Sequence, residues 1–216
     1  DTSILHMADA QNEVLAALGS SLRIGDDATY DDVRSKADGV DKWRLYFNTY
    51  GENFLTAGVE YDAEHPYDRM YTEVFSHYGG ATIYAVDGSG TATSTLPATV
   101  SPVVYAHAST YSVDVDKDGL GGSDIPKYTY AEGDDRLMVM AMEQLEGQGL
   151  IIVSGAAFMS NFEVQATIED SGSEKNYSNY RICENLLKAI NPVKITPIAE
   201  VQAKYPVEMQ TEHIVN

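Results

Sequence analysis

Residues 136–163 read RLMVMAMEQLEGQGLIIVSGAAFMSNFE and contain two short apolar runs separated by a turn. The first run covers residues 137–142 and the second covers residues 150–153, with Glu-Gly-Gln-Gly at 146–149 between them. Short runs that are apolar on both faces and bounded by glycine are typical of central strands buried on both sides of a sheet. We therefore predict that the two runs are central strands of an α/β fold.

The second run ends in the small residues Ser-Gly-Ala-Ala at 154–157. Open α/β sheets place ligand or catalytic groups where a strand passes into such a turn. The chain has no G-x-S-x-G elbow, however, and no His or Glu pattern marks a partner for Ser154 or Ser160. The single cysteine, Cys183, lies on the apolar stripe of a predicted helix, which favours a buried core thiol over a nucleophile. The catalytic position of an α/β enzyme is therefore predicted to be empty.

The remaining elements are predicted from periodicity and from helix stop signals. Apolar residues at helical spacing predict a helix over residues 7–18 that Gly19 ends, and another over residues 178–190 with Ser178 as its N-cap. Short β-type runs predict further strands at residues 21–24, 44–48, 81–86 and 103–108. Residues 88–99 are small and polar, which is typical of a surface loop or hairpin tip.

Composition excludes several classes of partner. The 216 residues include 33 acidic and 14 basic side chains, and the formal net charge is −19. Such a surface repels nucleic-acid phosphates and anionic lipid headgroups, so we expect no nucleic-acid partner. No apolar run approaches the ~20 residues of a membrane-spanning helix. One cysteine excludes an internal disulfide, and an acidic, cysteine-poor composition favours an exported protein.

Alternating aspartates mark a candidate calcium site in DVDKDGLGGSD at residues 114–124. Oxygen ligands at every second residue wrap a calcium ion, which indicates Asp114, Asp116 and Asp118, with Asp124 as a further ligand. The twelfth position of the loop is Ile125, where a calcium loop carries a bidentate glutamate. The alternative is an Asp/Gly-rich surface turn. We keep calcium as the predicted cofactor.

Other polar residues receive ordinary structural interpretations. Separated carboxylate pairs in residues 25–41 are predicted to be solvated. His65 and His77 lie in a Tyr-rich stretch without metal-ligand spacing, which favours surface histidines, whereas His107 is predicted to be packed in or beside a strand.

The succession of LGSSLRIGDD, RLYFN, LTAGV, GGATIYAV and residues 136–163 resembles a known family. It is similar to the C-terminal portion of the class I glutamine-amidotransferase-like domain of large secreted bacterial multidomain hydrolases. The resemblance covers roughly residues 8–190 and implies a flavodoxin-like, three-layer α/β sandwich that lacks its first strands in this chain. The family's nucleophile Cys and its late His-x-Glu pair have no counterpart here, so the resemblance implies a domain without catalysis.

These observations lead to one main expectation and two alternatives. Residues 1–191 are expected to form the incomplete α/β domain, and residues 192–216 a linker with the start of a following module. The domain is expected to be a non-catalytic structural or interaction part of an extracellular or cell-surface hydrolase, with the remaining domains of that protein as partners. The alternatives are an active hydrolase with a site built from the acidic loops and His65, His77 or His107, and a calcium-dependent adhesion or carbohydrate-binding module.

Overall fold

The computed structural model describes residues 7–34, 42–115, 122–147, 149–160 and 177–190. The chain divides into two compact units, Asp1–Asn185 and Leu186–Asn216. The described residues of the second unit are 186–190, the end of a helix. The described elements, in chain order, are α1 (Met7–Ala17), β1 (Leu22–Ile24), β2 (Ala28–Tyr30), β3 (Arg44–Phe47), β4 (Thr49–Tyr50), β5 (Phe75–Tyr78), β6 (Ile83–Val86), β7 (Ala92–Thr93), β8 (Val100–Tyr105), β9 (Tyr111–Val113), a 3-10 turn (Gly122–Asp124), β10 (Tyr128–Ala131), β11 (Asp134–Arg136), β12 (Met138–Leu145), β13 (Gly149–Ser154) and α2 (Ser178–Ile190).

A seven-stranded sheet organises the first unit. Its strand order is β1-β6-β12-β8-β4, with β13 also paired to β12 and β7 paired to β6. Three two-stranded sheets accompany it, formed by β10 with β11, β2 with β9, and β3 with β5. Every one of these strand pairs is antiparallel. Among the described residues the one parallel contact is an isolated bridge between Val74 and Tyr177.

The predicted three-layer α/β sandwich is therefore wrong, and so is the resemblance to an amidotransferase-like domain. A flavodoxin-like sheet is parallel, and parallel strands need crossover connections of about a dozen residues or more. Here β12 and β13 pair from Met140–Ser154 to Leu145–Gly149 across a turn of a few residues. A short connection of this kind produces an antiparallel hairpin. The described part of the chain is rich in strands and contains two α-helices.

Most of the individual elements agree with the sequence prediction. Both helices are confirmed, and Gly19 follows α1 with a φ of 75°, which a glycine adopts without strain. The predicted strands are present with ends shifted by one to three residues, as for β8 at Val100–Tyr105. The small, polar stretch after β6 forms a hairpin with the short strand β7, as predicted.

The core is built around the first half of β12. Residues 138–141 are fully buried, and Met138 and Ala141 pack in one cluster with Leu22 of β1, Ile83 of β6 and Tyr128. The Tyr128 hydroxyl accepts a hydrogen bond from the Ala85 amide at 2.7 Å and donates to the Thr93 carbonyl at 3.0 Å. Burial raises the pKa of Tyr128 to about 12. The prediction of a buried central strand is confirmed for β12, whereas β13 exposes Leu150.

A buried carboxylate joins the end of α1 to this sheet. Glu143 of β12 is nearly inaccessible, and its Oε2 accepts hydrogen bonds from the Ser20 hydroxyl at 2.5 Å and the Ser21 amide at 2.9 Å. Its Oε1 accepts from the Thr99 hydroxyl at 3.2 Å. Three donors offset the desolvation of the carboxylate, so the turn between α1 and β1 is held against the centre of the sheet.

Candidate binding cleft

A surface cleft of about 580 Å³ opens beside β4 in the first unit. β4 pairs with β8 at Thr49–Tyr105 and Tyr50–Val104, which places it at the end of the main sheet. The loop that follows β4 and the hairpin strands β10 and β11 supply the other walls. The cleft is lined by Asn48, Thr49, Tyr50, Gly51, Glu52, Asn53, Thr56, Ala57, Val59, Tyr61, Pro66, Tyr67, Tyr130 and Arg136. Because three of the lining tyrosines are exposed, we call it the tyrosine cleft.

The amide side chains of the cleft bind the backbone around them. Asn53 Nδ2 donates to the carbonyls of Gly51 and Pro102 at 3.2 and 3.0 Å, and its Oδ1 accepts from the Leu55 amide at 3.0 Å. Asn48 Nδ2 donates to the Pro66 carbonyl at 2.5 Å. A Cβ on Gly51 would lie 2.0 Å from the Pro102 carbonyl oxygen, so this position requires glycine. The wall of the cleft is therefore held rigidly by its own hydrogen bonds.

Tyr50 anchors the cleft to α2. Its hydroxyl lies within hydrogen-bond distance of three oxygens: the Phe47 and Glu73 carbonyls, each at 3.1 Å, and Ser178 Oγ at 2.9 Å. Burial raises the pKa of Tyr50 well above its ordinary value. A neutral phenol with several buried partners fixes the position of β4 relative to the start of α2.

The exposed rings are Tyr61, Tyr67 and Tyr130, whose exposed fractions are 54%, 51% and 45%. The Arg34 guanidinium lies 3.7 Å from the centre of the Tyr67 ring, and His107 meets the same ring edge-on at 5.7 Å. Tyr130 packs edge-on against Tyr105 at 5.4 Å. Tyr67 and Tyr130 are thus held by cation–π and aromatic contacts while about half of each side chain faces solvent.

The lining of the cleft contains one cation, Arg136, and one carboxylate, Glu52. Arg136 is paired with Asp134 at 2.7 Å and also donates to Thr49 Oγ1 at 2.8 Å. The guanidinium lowers the pKa of Asp134 below its ordinary value. Glu52 is exposed and makes no hydrogen bond or ion pair with the described residues. The Arg34 guanidinium over Tyr67 is a second positive charge beside the cleft, whereas the chain as a whole carries −19.

Two buried histidines, His77 and His107, contact the Phe47 ring. The ring centres of His77 and His107 are 5.4 and 5.2 Å from that of Phe47. His107 Nε2–H donates to the Tyr46 carbonyl at 2.8 Å, and burial lowers its pKa. His77 on β5 is fully buried with neither ring nitrogen hydrogen-bonded, and burial lowers its pKa to about 4.

The predictions for the histidines are therefore confirmed for His107 and wrong for His77. His65 is exposed as predicted, stacks on Tyr71, and faces Asp62 at 3.5 Å. His77 was predicted to be a surface residue because residues 61–77 were interpreted as loop. The signal that could have placed it is the β-type run of residues 74–78, which pairs with β3 at Leu45–His77.

The acidic stretch of residues 25–41 includes one buried carboxylate among its described residues, Asp31 directly after β2, so the prediction that its carboxylates are solvated is wrong for Asp31. Asp31 is fully buried and accepts hydrogen bonds from the amides of Val33 and Arg34 and from the hydroxyls of Ser109 and Thr110, at 2.7–2.9 Å. Burial alone would raise the pKa of Asp31, but these four donors outweigh it and lower the pKa. Asp31 therefore joins two distant loops through its carboxylate.

Only part of the predicted calcium site lies in the described residues. Asp114 is half-buried directly after β9, and Asp124 is exposed at the end of the 3-10 turn. A Cβ on Gly122 would lie 3.7 Å from Asp114 Cβ, so the two ends of the loop meet. Asp116 and Asp118 lie outside the described residues. No group of three or more His, Cys, Asp or Glu side chains within the described ranges could hold a metal ion. Calcium binding by the full set stays a prediction.

The serines considered as nucleophiles lie in the turn after β13. Ser154 Oγ accepts a hydrogen bond from the Ala156 amide at 3.4 Å, and the Ser160 amide donates to the Ala157 carbonyl at 2.8 Å. The described contacts of His65, His77 and His107 are with rings, a carboxylate and a carbonyl. Cys183 is half-buried on α2, and burial raises the pKa of its thiol.

The comparisons with known proteins do not assign the chain. No protein-family model matches it, and no curated protein matches it. Among solved structures, it is similar to the "mmIFT52 N-terminal domain", with a TM-score of 0.47 and 13% sequence identity. The match covers 85% of this chain and 58% of that one. The chain thus spans less than two thirds of the length of this neighbour, and a likeness of this size defines neither its fold nor its function. None of the described helices is long and apolar enough to cross a membrane.

Proposed function

We propose that this chain is a non-catalytic interaction domain that binds its ligand in the tyrosine cleft. The observation that supports this most directly is the pairing of three half-exposed tyrosines with a wall that is held by its own hydrogen bonds. Tyrosine supplies a large, amphipathic contact area and loses little conformational entropy on binding. A cleft that is rigid before the ligand arrives also avoids part of the ordering penalty.

The residue types in the cleft favour binding over catalysis. Its lining contains no His, Ser, Cys or Lys, and its single free carboxylate is Glu52. Nucleophilic or acid–base catalysis needs a nucleophile with a base within hydrogen-bond reach. The hydroxyl of Thr56, which could act as a nucleophile, lies 2.6 Å from the Gly51 carbonyl. A volume of about 580 Å³ is within the range of ordinary ligand sites, roughly 300–1,000 Å³.

The proposal includes an exported, multidomain protein as the setting, with other domains of that protein as additional partners. The acidic composition and the single cysteine support this location. Digestion of intact cells with an added protease tests it, because an extracellular or cell-surface domain is cleaved under these conditions. A domain that is degraded only after cell lysis contradicts the location.

Binding in the cleft can be tested with the full chain and a ligand panel. We would measure thermal-denaturation shifts with peptides and neutral oligosaccharides, in the wild type and in the triple variant Tyr61→Ala, Tyr67→Ala, Tyr130→Ala. The expected result is a ligand that raises the Tm of the wild type but not that of the triple variant. Tyr180→Ala removes an exposed tyrosine of α2 that lies outside the cleft, and it should behave as the wild type.

The same samples distinguish binding from catalysis. Mass spectrometry of the ligand after prolonged incubation should recover it unchanged. Cleavage that the wild type performs and the triple variant does not would show that the domain is an active hydrolase. If no ligand of the panel distinguishes the wild type from the triple variant, the cleft is not the binding site.

A further inference from the structure

We propose that the tyrosine cleft takes a proline-rich, basic peptide segment in the polyproline II conformation. This inference rests on the proposed function, since it names the ligand of the same cleft. It is carried by the juxtaposition of three exposed tyrosine rings with an unpaired glutamate at one site. The residues that carry it are Tyr61, Tyr67, Tyr130 and Glu52.

The hydrogen-bonding groups left free in the cleft match such a segment. A polyproline II strand has no internal hydrogen bonds, so its carbonyls are open to donors, and its prolines have no N–H to satisfy. Among the described contacts, the hydroxyls of Tyr61, Tyr67 and Tyr130 have no hydrogen-bond partner and can donate to those carbonyls. A guanidinium lies over the Tyr67 ring and another over the Tyr130 ring, and the exposed half of each side chain offers apolar surface for a pyrrolidine ring, as in other aromatic-lined grooves that bind this conformation.

The net charge of the chain and the free carboxylate of Glu52 favour a cationic residue in the peptide. Arg136 is paired with Asp134, and the Arg34 guanidinium stacks on the Tyr67 ring, so both cations beside the cleft already have partners. Glu52 stands exposed and unpaired among the described residues. The whole chain carries −19, which repels anionic ligands and accelerates the approach of cationic ones. We therefore place an Arg or Lys of the peptide opposite Glu52.

The same geometry disfavours a glycan. Recognition of sugar hydroxyls needs polar groups that can both donate and accept, and side-chain amides serve this purpose. The two amides of this cleft are engaged with the protein: Asn53 bonds Gly51, Pro102 and Leu55, and Asn48 bonds Pro66. Releasing them would leave buried backbone groups without partners. The groups that remain free are phenols and a carboxylate, which suit a peptide better.

Calorimetric titration of the full chain with designed peptides tests the inference. The probe is a synthetic peptide of repeated Pro-Pro-Ala units with one terminal Arg, and the reference peptide has Ala in place of every Pro. We expect the proline peptide to bind and the reference peptide of equal charge to bind at least about tenfold more weakly, because it must be ordered on binding. Equal binding of the two peptides would overturn the polyproline assignment.

Variants of the cleft locate the contacts. Tyr67→Ala and Tyr130→Ala should each weaken binding about tenfold or more, as truncation of an aromatic anchor does. Tyr67→Phe keeps the ring and should lose only a few-fold, and Tyr180→Ala should change nothing. Glu52→Gln should remove the preference for the Arg peptide over one ending in Gln, together with part of the salt dependence. Unchanged affinity in the tyrosine variants would overturn the site.

The oligosaccharide arm separates this inference from the proposed function. If a neutral oligosaccharide binds the wild type but not the tyrosine variants, and the proline peptide binds neither, the peptide inference fails and the interaction function stands. If no ligand of either class distinguishes the wild type from the variants, both fail. Circular dichroism of each variant confirms that it is folded before its affinity is compared.

Discussion

His77 is buried on β5 with no hydrogen bond to either ring nitrogen, an unfavourable position for an imidazole. Its ring packs among Phe47, Phe75 and the backbone of Gly80. Burial favours the neutral form and lowers the pKa from 6.5 to about 4. As the pH falls, His77 is therefore protonated near pH 6.5 in the unfolded chain but only near pH 4 in the folded protein. Stability is lost as the pH falls through this window.

The variant His77→Leu should remove this acid sensitivity. Each pKa unit corresponds to about 1.4 kcal/mol, so the wild type should lose about 2 kcal/mol from this residue between pH 7.5 and pH 5. The leucine variant should lose less by that amount and should be close to the wild type in stability at neutral pH, since an apolar side chain of similar size suits the site. Urea denaturation at the two pH values measures it.

His65→Gln is the control, because His65 is exposed and its variant should keep the pH dependence of the wild type. Equal losses of stability in the wild type and in His77→Leu would contradict the prediction.

Asp31 provides a second test at the scale of one residue. Its buried carboxylate accepts four hydrogen bonds that lower its pKa, so its contribution is complete at neutral pH and is lost when acid protonates it. Asp31→Asn places an amide N–H₂ against donors and should lower the free energy of unfolding at pH 7 by about 2–3 kcal/mol. Asp32→Asn affects an exposed pair with Lys42 and an exposed hydrogen bond from the Tyr111 hydroxyl at 3.3 Å, and it should cost less than about 1 kcal/mol. Similar effects of the two variants would show that the Asp31 contacts contribute little.

The β12–β13 hairpin continues into a close backbone contact at Gly155. The Gly155 amide donates to the Val139 carbonyl at 3.0 Å, and its carbonyl accepts from the Ala81 amide at 2.9 Å, so this residue joins β12 to the segment before β6. A Cβ here would lie 1.8 Å from the Ala81 carbonyl oxygen. The small residues after β13 therefore serve backbone packing. Their sequence alone had suggested the mouth of an α/β active site.

Gly155→Ala should consequently destabilise the fold by about 2–3 kcal/mol, since two backbone segments must move apart. Amide hydrogen exchange should increase at Ala81 and along the adjoining part of β12. Gly88→Ala is the matched control: no atom lies within 4 Å of its added Cβ, and its effect should stay within about 0.5 kcal/mol. An alanine variant at 155 with wild-type stability would mean that the backbones separate easily.

Calcium binding by the loop after β9 is a prediction at the scale of one element. Titration of calcium into a chelator-stripped sample should give a millimolar-range affinity and a rise in Tm, both reduced by Asp114→Asn. Magnesium at equal ionic strength is the control for general screening. If calcium up to ~10 mM gives neither heat nor a Tm shift, the loop does not bind calcium and is an ordinary surface turn.

The net charge of −19 acts on the whole molecule. Repulsion among carboxylates destabilises the compact state, and salt screens it over distances beyond about 10 Å at ~0.1 M. Raising NaCl from ~20 mM to ~0.5 M at pH 7.5 should therefore raise the Tm by a few degrees. The rise should disappear near the calculated isoelectric point of 4.4, where the net charge vanishes. A salt effect of the same size at both pH values would point to a cause other than charge repulsion.

Sequence by itself determined the local elements of this protein. Residues 7–18 and 178–190 were placed as helices by 3.6-residue periodicity, Gly19 and the Ser178 cap, and these signals lie within the segments they describe. The apolar runs at 137–142 and 150–153 identified β12 and β13 for the same reason. The short turn between them also predicts that the two strands pair antiparallel, because a parallel pair would need a crossover connection that is too long for this turn.

Only the tertiary structure decided which strands pair and which polar residues meet. His77 pairs with Leu45, more than thirty residues earlier, and Asp31 binds Ser109 and Thr110, 78 and 79 residues later, beside the paired strands β2 and β9. The tyrosine cleft brings Tyr61 and Tyr67 of the loop between β4 and β5 together with Tyr130 of β10. Side chains so distant in sequence leave no common local pattern. Their meeting depends on strand register and loop packing, which arise from burying the whole core at once.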